Sequence, residues 1–208
     1  MARLIVKVCG VTTPDDAALA VAAGADAIGV NLWPGSKRYV TPEAARDVLA
    51  AVPAGVLKVG VFVDAPSDDV AHLIKELELD RAQLHGDEAP ADFGRLDERL
   101  IRVVRVRDAS SFDAEAGWSP ALWLYDAFVD GYGGGGVQAP WPLIAERARR
   151  PFLLAGGLTP ENVAAAVAST RPDGVDVASG VESSPRKKDP AKVAAFIAAA
   201  RGAALNSR

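Results

Sequence analysis

Cysteine and histidine are scarce in this 208-residue chain. Cys9 is the only cysteine, so no intrachain disulfide can form. With His72 and His85 as the only histidines, the Cys/His sets that hold structural zinc are excluded. Aromatic residues make up only 6% of the chain, so the core must come from Val, Leu, Ile and Ala, which suit buried parallel strands. Positive charge is not in excess either. The 23 basic and 27 acidic residues leave a net charge of −4, which argues against nucleic acid or an anionic membrane as the main partner. Any phosphate must then be held by local geometry. No apolar run approaches the roughly 18 residues of a membrane span. The opening MARLIVKVCG lacks the length and cleavage pattern of a signal peptide. The expected location is the cytoplasm.

What is present is a strict alternation. Runs rich in Val, Ile and Leu occupy 4–9, 26–32, 57–63, 81–85, 100–106, 121–126, 152–156 and 174–178. Helical stretches follow, clearest at 14–23, 42–51, 67–77, 160–169 and 189–201, with weaker ones near 89–97 and 110–116. Thr13-Pro14, Thr41-Pro42 and Thr159-Pro160 each place Thr at a helix cap and Pro at the first helical position. Strand starts recur about every 24 residues. Alternating strands and helices imply parallel strands joined by right-handed crossovers. Eight such units without an interrupting domain predict an α/β fold, a single-domain (β/α)8 barrel over 1–208, with an open doubly wound sheet as the alternative. The tail after Ala200 is expected to fray.

In such a barrel the chemistry sits at the C-terminal strand ends. There the chain places Cys9, His85, Asp126, Gly156-Gly157 and Ser179-Gly180. Cys9 reads equally as a reactive thiol or as a small buried hydrophobe. Lys7, two residues earlier, shares its side of the strand and could support a thiolate. Asp126 ends an apolar run, where a carboxylate is costly unless it is paired or functional. Asp130 is a rival inside the next loop. The two glycine-bearing strand ends fit a backbone phosphate site, with tight turns as the plainer reading. Arg38 could clamp a carboxylate, although a lone loop arginine is more often solvated. Lys187 and Lys188 either solvate their loop or raise the potential near a phosphate. The run GYGGGG at 131–136 lacks the Gly-Lys-Ser/Thr ending of a P-loop.

Taken together, KVCGVTTPDDA (7–17), PGSKRYV (34–40), VGVFVD (59–64), QLHGDE (83–88), AGGLTPENV (155–163), DVASGVESSP (176–185) and the closing KD (188–189) resemble the phosphoribosylanthranilate isomerase family. The resemblance runs from about residue 5 to about residue 197. It implies a (β/α)8 barrel that performs an Amadori rearrangement on a small phosphorylated substrate without cofactor or metal, more often as a monomer than as a dimer. It implies Cys9 as general base and Asp126 as general acid. It assigns Arg38 to the substrate carboxylate, and Gly156, Gly157, Ser179 and Gly180 to the phosphate. Lys7, Gln83, His85 and Asp176 are the further polar residues expected to line the site. The chain departs from the family pattern in three places. Residues 133–136 are all glycine, Ala139-Pro140-Trp141 replaces Phe-Asp-Trp, and after the eighth strand Ala178 and Pro185-Arg186 replace Ser and Pro-Gly. A related histidine-pathway isomerase and a non-catalytic binding barrel are the alternatives. Cys9 and the lack of a second Gly-rich phosphate loop oppose the first, and the Cys9/Asp126 pair opposes the second.

Overall fold

The structure is a computed structural model that describes residues 3–129 and 137–206. Eight parallel strands close into a barrel in chain order. They are β1 (Ile5–Cys9), β2 (Ala27–Asn31), β3 (Leu57–Phe62), β4 (Arg81–Leu84), β5 (Leu100–Val106), β6 (Leu122–Ala127), β7 (Phe152–Leu154) and β8 (Gly174–Val177). β1 pairs with both β2 and β8, so no edge is left and the open-sheet alternative is ruled out. The eight predicted runs all form strands, with bounds shifted by at most two residues.

The two-residue period of a strand sorts its side chains. Val6 and Val8 of β1 face outward into the large core between barrel and helices, as do Val175 and Val177 of β8. Val59, Ile101, Leu124 and Leu153 face inward and fill the lower barrel. The same parity turns Lys7, Cys9, Gln83, Asp126 and Asp176 inward, above that apolar plug.

The helices are α1 (Pro14–Ala22), α2 (Pro42–Ala50), α3 (Ser67–Glu76), α4 (Pro90–Phe93), α5 (Trp141–Arg147), α6 (Val163–Thr170) and α7 (Pro190–Asn206). Thr13 and Thr41 cap as expected, accepting hydrogen bonds from Asp16 N at 3.2 Å and Ala44 N at 3.3 Å. Thr159 does not start its helix at Pro160, because residues 160–162 form turns and α6 begins at Val163. The stretch near 89–97 is one α turn followed by a 3-10 helix, and 109–115 is 3-10 rather than α-helical. The tail is helical to Asn206 and not frayed from Ala200, because Ala200 is fully buried and Arg201 donates hydrogen bonds to Gly24 O and to Asp26. A short hairpin of β9 (Glu182–Ser184) and β10 (Lys187–Lys188) follows β8 and was not foreseen. Asp130 and the glycine run at 131–136 lie outside the described residues.

Candidate active site

The mouth of the barrel has two walls. On the first, Lys7 and Cys9 project from β1 toward Ala27 and Gly29 of β2, their register partners. At Gly29 the lack of a side chain is required. A Cβ on Gly29 would lie 2.8 Å from Cys9 Sγ and 3.2 Å from Lys7 Nζ. Lys7 is fully buried and donates to Asp176 Oδ1 at 2.8 Å. Burial opposes the Lys7 charge, but the Asp176 carboxylate and the adjoining Cys9 outweigh it and hold the pKa above the ordinary lysine value. For Cys9 burial wins. It pushes the thiol pKa up, against the opposing pull of Lys7. The support that Lys7 was expected to give a thiolate is therefore present but smaller than the desolvation.

Asp126 stands on the opposite wall, on β6. Its Oδ1 accepts from the Ala127 amide at 2.8 Å, and its side chain is 15% exposed. Burial, then the neighbouring Asp176 carboxylate, push its pKa up to about 7. The desolvated surrounding expected for a proton-holding carboxyl is present. His85 Nε2 lies 3.6 Å from Asp126 Oδ2. Gln83 Nε2 donates to His85 Nδ1 at 3.4 Å, which leaves the ring proton on Nε2, facing Asp126. Burial and the nearby Arg105, Lys7 and Arg102 depress the His85 pKa to about 3, so the imidazole is neutral.

Between β6, β7 and β8 lies a polar cavity lined by Asp126, Gly156, Gly157, Asp176, Ser179 and Gly180 among others. Its glycines let the loops interlock. A Cβ on Gly156 would meet Ala127 N at 2.6 Å, and one on Gly180 would meet Leu158 O at 1.9 Å. Gly157 has a positive φ of 62°. Gly156 also has a positive φ, of 86°, so both glycines after β7 adopt the backbone of a tight turn.

The remaining residues depart further from expectation. Arg38 is not solvated: it forms a two-pronged ion pair with Glu182 on β9, at 2.7 Å for each contact. Lys188 is not a solvating loop residue. It is fully buried and donates to Cys9 O at 2.8 Å, Ala178 O at 3.0 Å and Glu182 Oε1 at 3.2 Å. Lys187 is exposed. Sequence reasoning passed over Glu182 altogether. Among the described residues, no three His, Cys, Asp or Glu side chains gather in a way that could hold a metal ion, and no helix is long and apolar enough to cross a membrane.

The profile of the family described as N-(5'-phosphoribosyl)anthranilate (PRA) isomerase matches residues 6–199. The chain belongs to this family. It is an isomerase on a TIM barrel, as the strand-end motifs implied. An N-(5'-phosphoribosyl)anthranilate isomerase of Neisseria meningitidis is 44% identical over 203 residues, spanning 96% of this chain and 98% of the relative. The crystal structure of the PRA isomerase of Thermotoga maritima superposes with a TM-score of 0.89 at 37% identity, covering 96% of this chain and 99% of that one. A further structure of a PRA isomerase holds reduced 1-(o-carboxyphenylamino)-1-deoxyribulose 5-phosphate. It matches with a TM-score of 0.84 at 36% identity and covers the same shares.

Proposed function

We propose that this chain converts N-(5'-phosphoribosyl)anthranilate to 1-(o-carboxyphenylamino)-1-deoxyribulose 5-phosphate in tryptophan biosynthesis, with Asp126 as general acid and Cys9 as general base. The observation that carries the reading is the pairing of an inward thiol on β1 with an inward carboxyl on β6, whose pKa of about 7 keeps a proton available at neutral pH. Membership of the family and the bound ligand named for one solved relative support the substrate.

The steps balance as proton transfers alone. Asp126 gives its proton to the ring oxygen, the C1'–O bond breaks, and an iminium forms at C1'. Its positive charge acidifies the C2' proton and, together with Lys7, favours the thiolate form of Cys9, whose own proton passes to solvent before the C2' proton is taken. The Cys9 thiolate takes the C2' proton, and the resulting enolamine tautomerises to the ketone. His85 faces the Asp126 carboxylate with an N–H and stabilises it after it has lost its proton. Asp176 holds Lys7 in place. Gly156, Gly157, Ser179 and Gly180 offer backbone amides to the phosphate, and Arg38 receives the anthranilate carboxylate. None of these steps draws on a cofactor or metal.

The test is turnover of phosphoribosylanthranilate generated in situ, followed by loss of substrate fluorescence. Cys9→Ala and Asp126→Asn should each lower kcat by about 10²–10⁴-fold. Turnover that survives both exchanges would refute the roles. No turnover in the wild type would refute the activity.

A further inference from the structure

Arg38 reaches the mouth across Gly10, the residue after Cys9. A Cβ at Gly10 would lie 2.2 Å from Arg38 Cδ, so the stem of the arginine occupies that space. Its Nε and Nη2 are engaged by the two oxygens of Glu182, whose side chain is only 6% exposed. Glu182 is held in turn by the fully buried Lys188, which also grips the backbone carbonyls that end β1 and follow β8. Lys192 donates to the Glu182 carbonyl at 2.9 Å. Burial works against charge on Glu182, yet Arg38 and Lys188 hold its pKa below the usual carboxylate value.

Two features of this cluster set its use. The bidentate contact takes one edge of the planar guanidinium, and no further partner is found among the described residues. The Nη1–Nη2 edge is left for a second carboxylate. The three charges also sum to +1, because Lys188 offsets Glu182. An Arg–Glu pair alone would be neutral and would attract a substrate anion weakly.

We propose that Glu182, anchored by Lys188, is a positioning residue that fixes Arg38 so that its free edge selects substrates bearing an aromatic carboxylate. This rests on the reading that Arg38 receives that carboxylate, and the test separates the two. Kcat/KM is measured for two substrates formed in situ from ribose 5-phosphate, one with anthranilate and one with aniline, which lacks the carboxylate. The ratio of the two values is the readout, because a general loss of fold or of acid–base chemistry lowers both together.

In Arg38→Ala the ratio should fall at least about tenfold, since a charged hydrogen-bonded contact is lost. In Glu182→Gln it should fall by a similar factor, through KM more than kcat. If the ratio falls in Arg38→Ala but holds in Glu182→Gln, the positioning role is overturned and the Arg38 reading stands. If it holds in Arg38→Ala, both fall. Glu182→Gln leaves Lys188 without its carboxylate. Should that variant not fold, Glu182→Gln/Lys188→Met removes both charges and must lower the same ratio. Should neither fold, Glu182→Asp keeps the charge, shortens its reach and must still lower it. An unchanged ratio in a folded variant overturns the proposal.

Discussion

The two walls of the mouth hold their polar groups in opposite ways. On the β1–β2–β8 wall the charges are paired: Lys7 with Asp176, Arg38 with Glu182, and Lys188 with Glu182 and two carbonyls. On the β4–β6 wall Arg105 pairs with Asp87, but Gln83, His85 and Asp126 are neutral or nearly so and have no ion-pair partner within hydrogen-bonding distance among the described residues. Gln83 Oε1 and His85 Nε2 find no hydrogen-bond partner among the described residues, and Asp126 holds its proton up to about pH 7. Burial acts on both walls. Where a counter-charge lies within hydrogen-bonding distance, it fixes an ion in place. Where none does, it suppresses ionisation and keeps a proton for use. The first arrangement fixes geometry and the second tunes chemistry.

The contrast is broken most directly by removing one carboxylate from each wall. Asp176→Asn leaves the fully buried Lys7 ammonium without its partner, and the expected loss of stability is about 3–5 kcal/mol. Urea denaturation at neutral pH measures it. Asp126→Asn removes a carboxylate that has no such partner, and should cost far less. Equal losses for the two variants would erase the distinction between the walls.

The proton on Asp126 sharpens the same comparison. Its folded pKa of about 7 lies above the ordinary value of 3.8, so the folded state binds the proton more tightly than the unfolded one. That stabilisation is fully present below about pH 4 and is lost as pH rises through about 7. Relative to the wild type, Asp126→Asn should therefore gain on the order of 3 kcal/mol between pH 4.5 and pH 8. Paired urea titrations at the two pH values give this difference. A difference that does not change with pH would mean that Asp126 is ionised throughout, which removes the basis for its role as an acid.

Legibility followed separation along the chain and not the division between the walls. Cys9, Lys7 and Asp126 could be placed because strand parity is local: two residues along a strand return to the same face. Closure of the barrel followed from eight repeats of one unit. Arg38–Glu182 and Lys188–Cys9 could not be read this way, since the partners lie 144 and 179 residues apart. A lysine pair in a loop carries no local sign that one member is buried under strand ends. α5 was obscured by the glycines and prolines that precede it, and its own second residue is Pro142. Thr159-Pro160 carried a valid capping signal, but Asn162 intervenes. Its side chain accepts from Thr159 N at 2.8 Å and donates to Gly157 O at 2.9 Å, forming a turn ahead of α6.

The smallest expected effect concerns the rim of the charged wall. Arg186 stands where the family pattern has glycine, and its φ is +76°, which explains the usual choice. Arg186 holds this strained position with compensation. Its Nη1 donates to Lys37 O at 3.2 Å and Tyr39 O at 3.0 Å, and its own carbonyl accepts from Thr12 Oγ1 at 2.9 Å, so the β9–β10 hairpin is tied to the loops after β1 and β2. Arg186→Ala loses the side-chain contacts and keeps the strain. Arg186→Gly loses the same contacts and relieves it. The glycine variant should therefore be the more stable of the two by about 1 kcal/mol in urea denaturation. If alanine proves equal to glycine, the left-handed backbone is not held at that residue in solution, and the ordered geometry of the charged wall stops short of its rim.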